Sequence, residues 1–205
     1  MVNALVLLFA AYVIGATPTS FWVGRFLYGK DLRELGSGNL GATNAFRVLG
    51  WKAAFPVLVV DVLKGWLPVW WFPVLDDQSS ALWALGYGAA SIVGHVFSFW
   101  VGFRGGKGVA TSAGVLTALA PLSVAAGFVA WLLVLGLTRM VSASSLVAAA
   151  AVPLSAMLTP GTQPALTGFM AFVALFIVWA HRSNVRRILR GEEPRVGRTR
   201  RVGVS

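Results

Sequence analysis

Cysteine is absent from this chain of 205 residues, which has only two histidines and seven acidic residues. A disulfide framework, a thiolate nucleophile and a cysteine metal site are therefore excluded. No acid stands at HExxH spacing to His95 or His181, so neither a metal nor a cofactor is expected. Charge of both signs is scarce: 12% of residues carry it, against about 25% in soluble domains. That scarcity excludes an ordinary soluble globular protein. Basic residues ahead of the first apolar run are missing too, the earliest being Arg25, which argues against a cleaved signal peptide and for a retained first span.

What fills the chain instead is apolar, with 57% hydrophobic residues and a mean hydropathy of +0.75. Runs at 2–26, 52–74, 81–101, 109–119, 122–137, 146–158 and 165–180 predict seven transmembrane segments. The expected fold is an all-α polytopic integral membrane protein, a single domain over 1–205 with a short basic tail. Pro18 is expected to kink or thin the first run, and Pro56 and Pro68 to break the second. The run at 109–119 falls short of the roughly 20 residues a crossing needs, so it is expected to begin inside the bundle. Asp61 and Lys64 share one face of the second run, either as an ion pair locking helices or as part of substrate handling.

The net charge of +10 does not point to nucleic acid, because the bases are not spread along a soluble face. All 17 basic residues except Lys64 fall in the first long loop, the glycine-rich loop at Arg104 and Lys107, the turn at Arg139, or the tail, which holds eight arginines. The alternate ends, namely the N-terminus, DDQSS, Pro121 and TPGTQP, have none. The positive-inside rule then puts the N-terminus outside and the C-terminus with all basic regions in the cytoplasm.

Polar motifs gather on that same face. In RGGKG, glycines let the backbone approach a ligand while Arg104 and Lys107 add positive charge, the chemistry of a phosphate cradle. In GSGNLGATNAFR a helix is expected from Ala42, with Thr43 or Asn44 near its start, offering free amides to an anion. Neither is a nucleotide motif: Gly108 follows Lys107 where a Walker A loop needs Ser or Thr, and GSGNLG has no βαβ setting. Thr111, Ser112 and Gly114 also suit simple helix packing. Arg139 precedes Ser142, Ser144 and Ser145, and His181 and Asn184 share a helix face. This convergence suggests a phosphate-bearing substrate meeting a lipid-soluble one. A transporter for a phosphorylated small molecule would use the same cations, but would need access from both sides. One-sided polarity favours an enzyme.

Taken together, GSGNLGATNAFR, DVLKGWLPV, GHVFSFWVGFRGGKGVAT, RMVSASS and HRSNVRRILRGEE resemble the bacterial acyl-phosphate-dependent glycerol-3-phosphate acyltransferases of the PlsY type, over nearly the whole chain. The resemblance implies seven spans in a bacterial cytoplasmic (inner) membrane and an active site facing the cytoplasm. It implies transfer of an acyl group from acyl phosphate to the sn-1 hydroxyl of glycerol 3-phosphate, giving lysophosphatidic acid and inorganic phosphate, the first acylation of phospholipid synthesis. The implied partners are those two substrates and the lipid bilayer, with no nucleic acid and a monomer favoured. Catalytic roles are implied for Ser37, His95, Lys107, His181 and Asn184. Arg47, Lys107, Ser142, His181 and Asn184 suit the phosphate of glycerol 3-phosphate. Lys107 with the glycines, Ser37, Asn39 and Thr43 suits the leaving phosphate. Gly36, Gly38, Gly41, Asn44, Arg104, Gly105, Gly106, Gly108, Thr111 and Arg139 complete the expected substrate contacts. His95 is the first candidate for handling a proton or facing the carbonyl. Direct attack by the glycerol hydroxyl is expected over a Ser37 acyl-enzyme, since no complete Ser-His-Asp triad can be argued. One departure from the family pattern is Ser98, where proline is usual after GHxF, and a less rigid turn is expected there.

Overall fold

Backbone groups inside a bilayer have no water to bond, so each apolar run must satisfy its own as a helix. A computed structural model of the chain, describing residues 2–76 and 82–197, is all-helical accordingly. Residues 77–80 of DDQSS and tail arginines 198, 200 and 201 lie outside the described residues.

Helix α1 (Ala4–Ala16) is capped by the Asn3 side chain and followed by α2 (Thr19–Trp22), which runs into a π-helical turn at Val23–Leu27. Then come α3 (Ala42–Leu49), α4 (Trp51–Leu75) and α5 (Leu82–Val96), with a 3-10 turn at Phe99–Val101. The chain continues through α6 (Val109–Leu119), α7 (Pro121–Thr138), α8 (Val141–Leu158), α9 (Pro164–Ala180) and α10 (Arg182–Leu189). Among the described residues, five stretches are long and apolar enough to cross a membrane: Ala4–Leu27, Trp51–Leu75, Leu82–Val101, Pro121–Thr138 and Val141–Leu158. Helices α9 and α10 pass the same test only when taken together, as a pair bent by 61°, and α6 is a shorter apolar helix.

Proline acts differently in the two runs where it was expected to matter. Pro18 interrupts the first span as anticipated, and the break frees carbonyls that distant side chains take up. Lys64 Nζ donates to Thr17 O at 2.7 Å, and Ser98 Oγ donates to Ala16 O. The second run, by contrast, is not broken: α4 passes through Pro56, Pro68 and Pro73 without interruption. Pro68 cannot donate to the carbonyl one turn back, that of Lys64, and Ser91 Oγ of α5 donates to it instead, at 2.7 Å. A neighbouring helix thus repairs the ladder. The serines of RMVSASS lie inside α8, which therefore reaches membrane length.

Small residues set how closely the helices approach. A Cβ on Gly15 would stand 2.1 Å from Ser91 O, and one on Gly94 2.3 Å from Tyr12 O, so α1 and α5 touch backbone to backbone. Gly65 and Gly114 do the same for α4 and α6, at 2.1 Å from Thr111 O and 1.9 Å from Val62 O. These are the small-residue contacts expected of helices packing in lipid. Helices α7 and α8 form the third close pair, and α8 also packs on α9.

Candidate active site

Three polar segments meet at one end of the bundle. The first is the loop 36–41. Gly36 and Gly38 take positive φ, and a Cβ on Gly36 would stand 2.3 Å from Asn44 Oδ1. Asn44, on α3, is buried and fully bonded: its Oδ1 accepts from Ser37 N at 2.9 Å, and its Nδ2 donates to Leu32 O and Leu35 O. Asn44 thus holds the loop from beneath, leaving Ser37, Thr43 and Arg47 exposed and Asn39 and Gly41 half-buried. Helix α3 does begin at Ala42, with Gly41 as its cap.

The second is the loop 102–108, folded back over the end of α5. Its turn is closed by Phe103 N donating to Ser98 O at 2.8 Å, and Gly105 and Gly106 donate to Val96 O and His95 O at 2.9 and 3.1 Å. A Cβ on Gly105 would meet His95 O at 1.9 Å; one on Gly106 would meet His95 Nε2 at 2.2 Å and Leu40 O at 2.7 Å. Only glycine fits between the two loops. Gly108, at φ +82°, then caps α6, whose first amides face the same end. Ser98 has φ −70°, already the value proline would impose, so the turn keeps its shape without proline.

The third segment joins α8, α10 and the tail. Lys107 Nζ donates to Asn184 Oδ1, Asn184 Nδ2 donates to Glu193 Oε1 at 2.7 Å, and Ser142 Oγ donates to the same oxygen at 2.7 Å. Arg187 Nε meets Glu193 Oε2 at 2.8 Å. Burial pushes the Glu193 carboxyl up, but hydrogen bonds from Ser142, Asn184 and Arg187 outweigh it and hold the group below its ordinary value. Burial, then the charges of Arg187 and Arg47, lower Lys107 to about 8. Burial and the Lys107 charge likewise push His181 down to about 4. His181 Nδ1 lies 2.8 Å from Ile177 O, so the neutral ring carries its proton there and leaves Nε2 as an acceptor.

Lys107, Ser142 and Asn184 therefore come together, with His181 and Arg47 close enough to act on Lys107 electrostatically. Three residues do not join them at the exposed face. Thr111 is fully buried against Gly65 in the α4–α6 seam, and His95 is buried beneath Gly106. Arg139, in a left-handed conformation at the end of α7, lines a separate surface hollow with Arg195. Arg104 is exposed on the loop without a carboxylate partner among the described residues. Glu193 was missed. Its stretch, GEEP, reads as the end of a basic tail, and no local pattern marks one acid of the pair as folding inward. No group of three metal-ligating side chains occurs among the described residues.

Fold and site together define an integral membrane protein that presents cations, free amides and a neutral histidine at one end of a helical bundle. A family profile described as Glycerol-3-phosphate acyltransferase matches residues 5–191. A protein named glycerol-3-phosphate acyltransferase from Listeria welshimeri is 46% identical over 198 residues, covering 95% of this chain and 98% of the relative. One of the same name from a Synechococcus strain is 43% identical, with 96% of each covered. Among solved structures, PlsY, described as an integral membrane glycerol 3-phosphate acyltransferase, matches in its glycerol 3-phosphate form with a TM-score of 0.86 and 36% identity, covering 95% of this chain and 96% of that one. Its lysophosphatidic acid form matches with a TM-score of 0.84 and 35% identity, covering 95% of each. The chain belongs to the glycerol-3-phosphate acyltransferase family, PlsY type.

Proposed function

We propose that the protein transfers an acyl group from acyl phosphate to the sn-1 hydroxyl of glycerol 3-phosphate, releasing lysophosphatidic acid and inorganic phosphate. The observation that carries this reading is Lys107, presented by a glycine loop next to Asn184, Ser142 and His181, in a chain whose family acts on glycerol 3-phosphate. Arg47, Lys107, Ser142, Asn184 and His181 bind the glycerol 3-phosphate, with His181 Nε2 free to accept a hydrogen bond from it. The amides at the start of α6, with Lys107, Ser37, Asn39 and Thr43, take the phosphate of the donor, because the Gly105 and Gly106 amides are spent on Val96 O and His95 O.

Chemistry then needs little beyond placement. The sn-1 oxygen attacks the acyl carbon, the bond from that carbon to the phosphate oxygen breaks, and the phosphate leaves with the electron pair. A substrate phosphate oxygen receives the hydroxyl proton. The site supplies orientation and neutralises the departing charge, and no acyl-enzyme on Ser37 is required. His95 contributes through the loop above it.

The same reading takes the protein as a monomer in a bacterial cytoplasmic membrane, with seven segments. Helix α9 crosses alone, α6 starts inside the bundle from the tucked glycine loop and runs to the outer face, and α10 lies at the cytoplasmic surface with its arginines. Because native cysteine is absent, single introduced cysteines report sidedness cleanly. A cysteine at Lys30 or Arg190 is expected to react from the cytoplasmic side and one at Gly161 from outside; the reverse pattern overturns the orientation. Activity is tested with purified protein in detergent, palmitoyl phosphate and labelled glycerol 3-phosphate, with palmitoyl-CoA as competing donor. Lysophosphatidic acid from acyl phosphate alone, lost in a folded Lys107→Ala variant, supports the reading. Product from palmitoyl-CoA alone overturns the donor, and no product with either donor overturns the reaction.

A further inference from the structure

Asp61, Lys64 and His95 form a polar cluster inside the helices, beneath the glycine loop. A charged group within a span is costly unless paired, and Asp61 and Lys64 do pair at 2.7 Å, only 2% and 5% exposed. Two residues one turn apart on α4 cannot by themselves join helices. Their other partners extend the pair: Lys64 Nζ donates to Thr17 O, Thr19 Oγ1 donates to Asp61 Oδ1 at 3.2 Å, and His95 Nδ1 stands 3.7 Å from that same oxygen. The opposite edge of the imidazole, Nε2, occupies the space a side chain on Gly106 would need. One ring thus spans from a buried carboxylate to the loop whose next residue is Lys107.

We infer that Asp61 and Lys64 are positioning residues for the transfer, acting through His95 to set the height of Gly105, Gly106 and Lys107. The Asp61 charge favours the ring orientation that turns an N–H toward it, and so fixes the face offered to Gly106. Lys64 keeps that carboxylate from being an uncompensated buried charge. Thr19, just past the Pro18 break, ties the cluster to the first span. A shifted ring moves the loop that leads into Lys107 and the first amides of α6, and the donor phosphate is the group that rests on them. This inference depends on the function proposed above.

The test measures kcat and KM for both substrates in folded wild type, Asp61→Asn, Asp61→Asn with Lys64→Met, and His95→Gln. For Asp61→Asn and His95→Gln, KM for acyl phosphate is expected to rise about tenfold with kcat within about threefold of wild type. The double variant removes both charges, so it is expected to recover stability while KM stays raised. A merely structural role changes the folded fraction, lowering apparent kcat with both KM values intact, and that result overturns the inference. A loss of kcat on the order of a hundredfold in His95→Gln at unchanged KM overturns it too, by making the imidazole catalytic. Should Asp61→Asn fail to fold, Thr19→Val, which removes one hydroxyl from the cluster, decides: a raised acyl phosphate KM supports the inference and an unchanged one rejects it. Wild type that makes no product overturns the proposed function instead.

Discussion

Lys107 carries a pH signature that falls in the working range of an enzyme assay. Its depressed value of about 8 in the free protein means that the ammonium, the form that binds an anion, is lost as pH rises through that value. A bound phosphate opposes the loss, raising the group again. The expected outcome is a kcat/KM for glycerol 3-phosphate that falls above about pH 8, with the limb in kcat at higher pH, checked by initial rates across pH 6.5–10. His181, already neutral well above about 4, is expected to add no limb in that range. Gly106 makes a steric prediction of the same scale. A methyl group there meets a ring nitrogen and a carbonyl at once, so Gly106→Ala is expected to weaken substrate binding by at least about tenfold, read as KM.

Polar repairs add to apolar contact in holding the elements together here. Ser91→Ala would leave Lys64 O, already without a donor because of Pro68, unsatisfied at the α4–α5 contact, and is expected to cost about 1–3 kcal/mol in reversible unfolding. Ser98→Ala removes the hydroxyl that takes up Ala16 O at the Pro18 break, with an expected cost of about 1 kcal/mol. Much of this level was readable beforehand: the extent of α6, the start of α3, the interruption at Pro18 and the seam of small residues all follow local rules. The continuity of α4 was not. Whether a proline breaks a membrane helix depends on what a neighbouring helix donates, and the residue that donates, Ser91, is 27 positions away from the carbonyl it serves.

At the scale of the molecule the tail is part of the site. Glu193 receives hydrogen bonds from Ser142 and Asn184 and pairs with Arg187, drawing α8 and α10 toward Lys107. Ending the chain after Gly191 is expected to leave helical content near wild type by circular dichroism while activity falls by on the order of a hundredfold, because Asn184 and Ser142 lose the group that orients them. By itself the sequence determined the membrane class, the helices and the motifs that carry the family, since composition, periodicity and spacing are properties of short stretches. Only the tertiary structure decided that Asn44 clamps a loop, that His95 lies beneath another, and that Glu193 turns inward. Those assignments rest on partners as far apart as Lys107 and Asn184, 77 residues, or Ser142 and Glu193, 51 residues, which only helix packing brings within hydrogen-bonding reach.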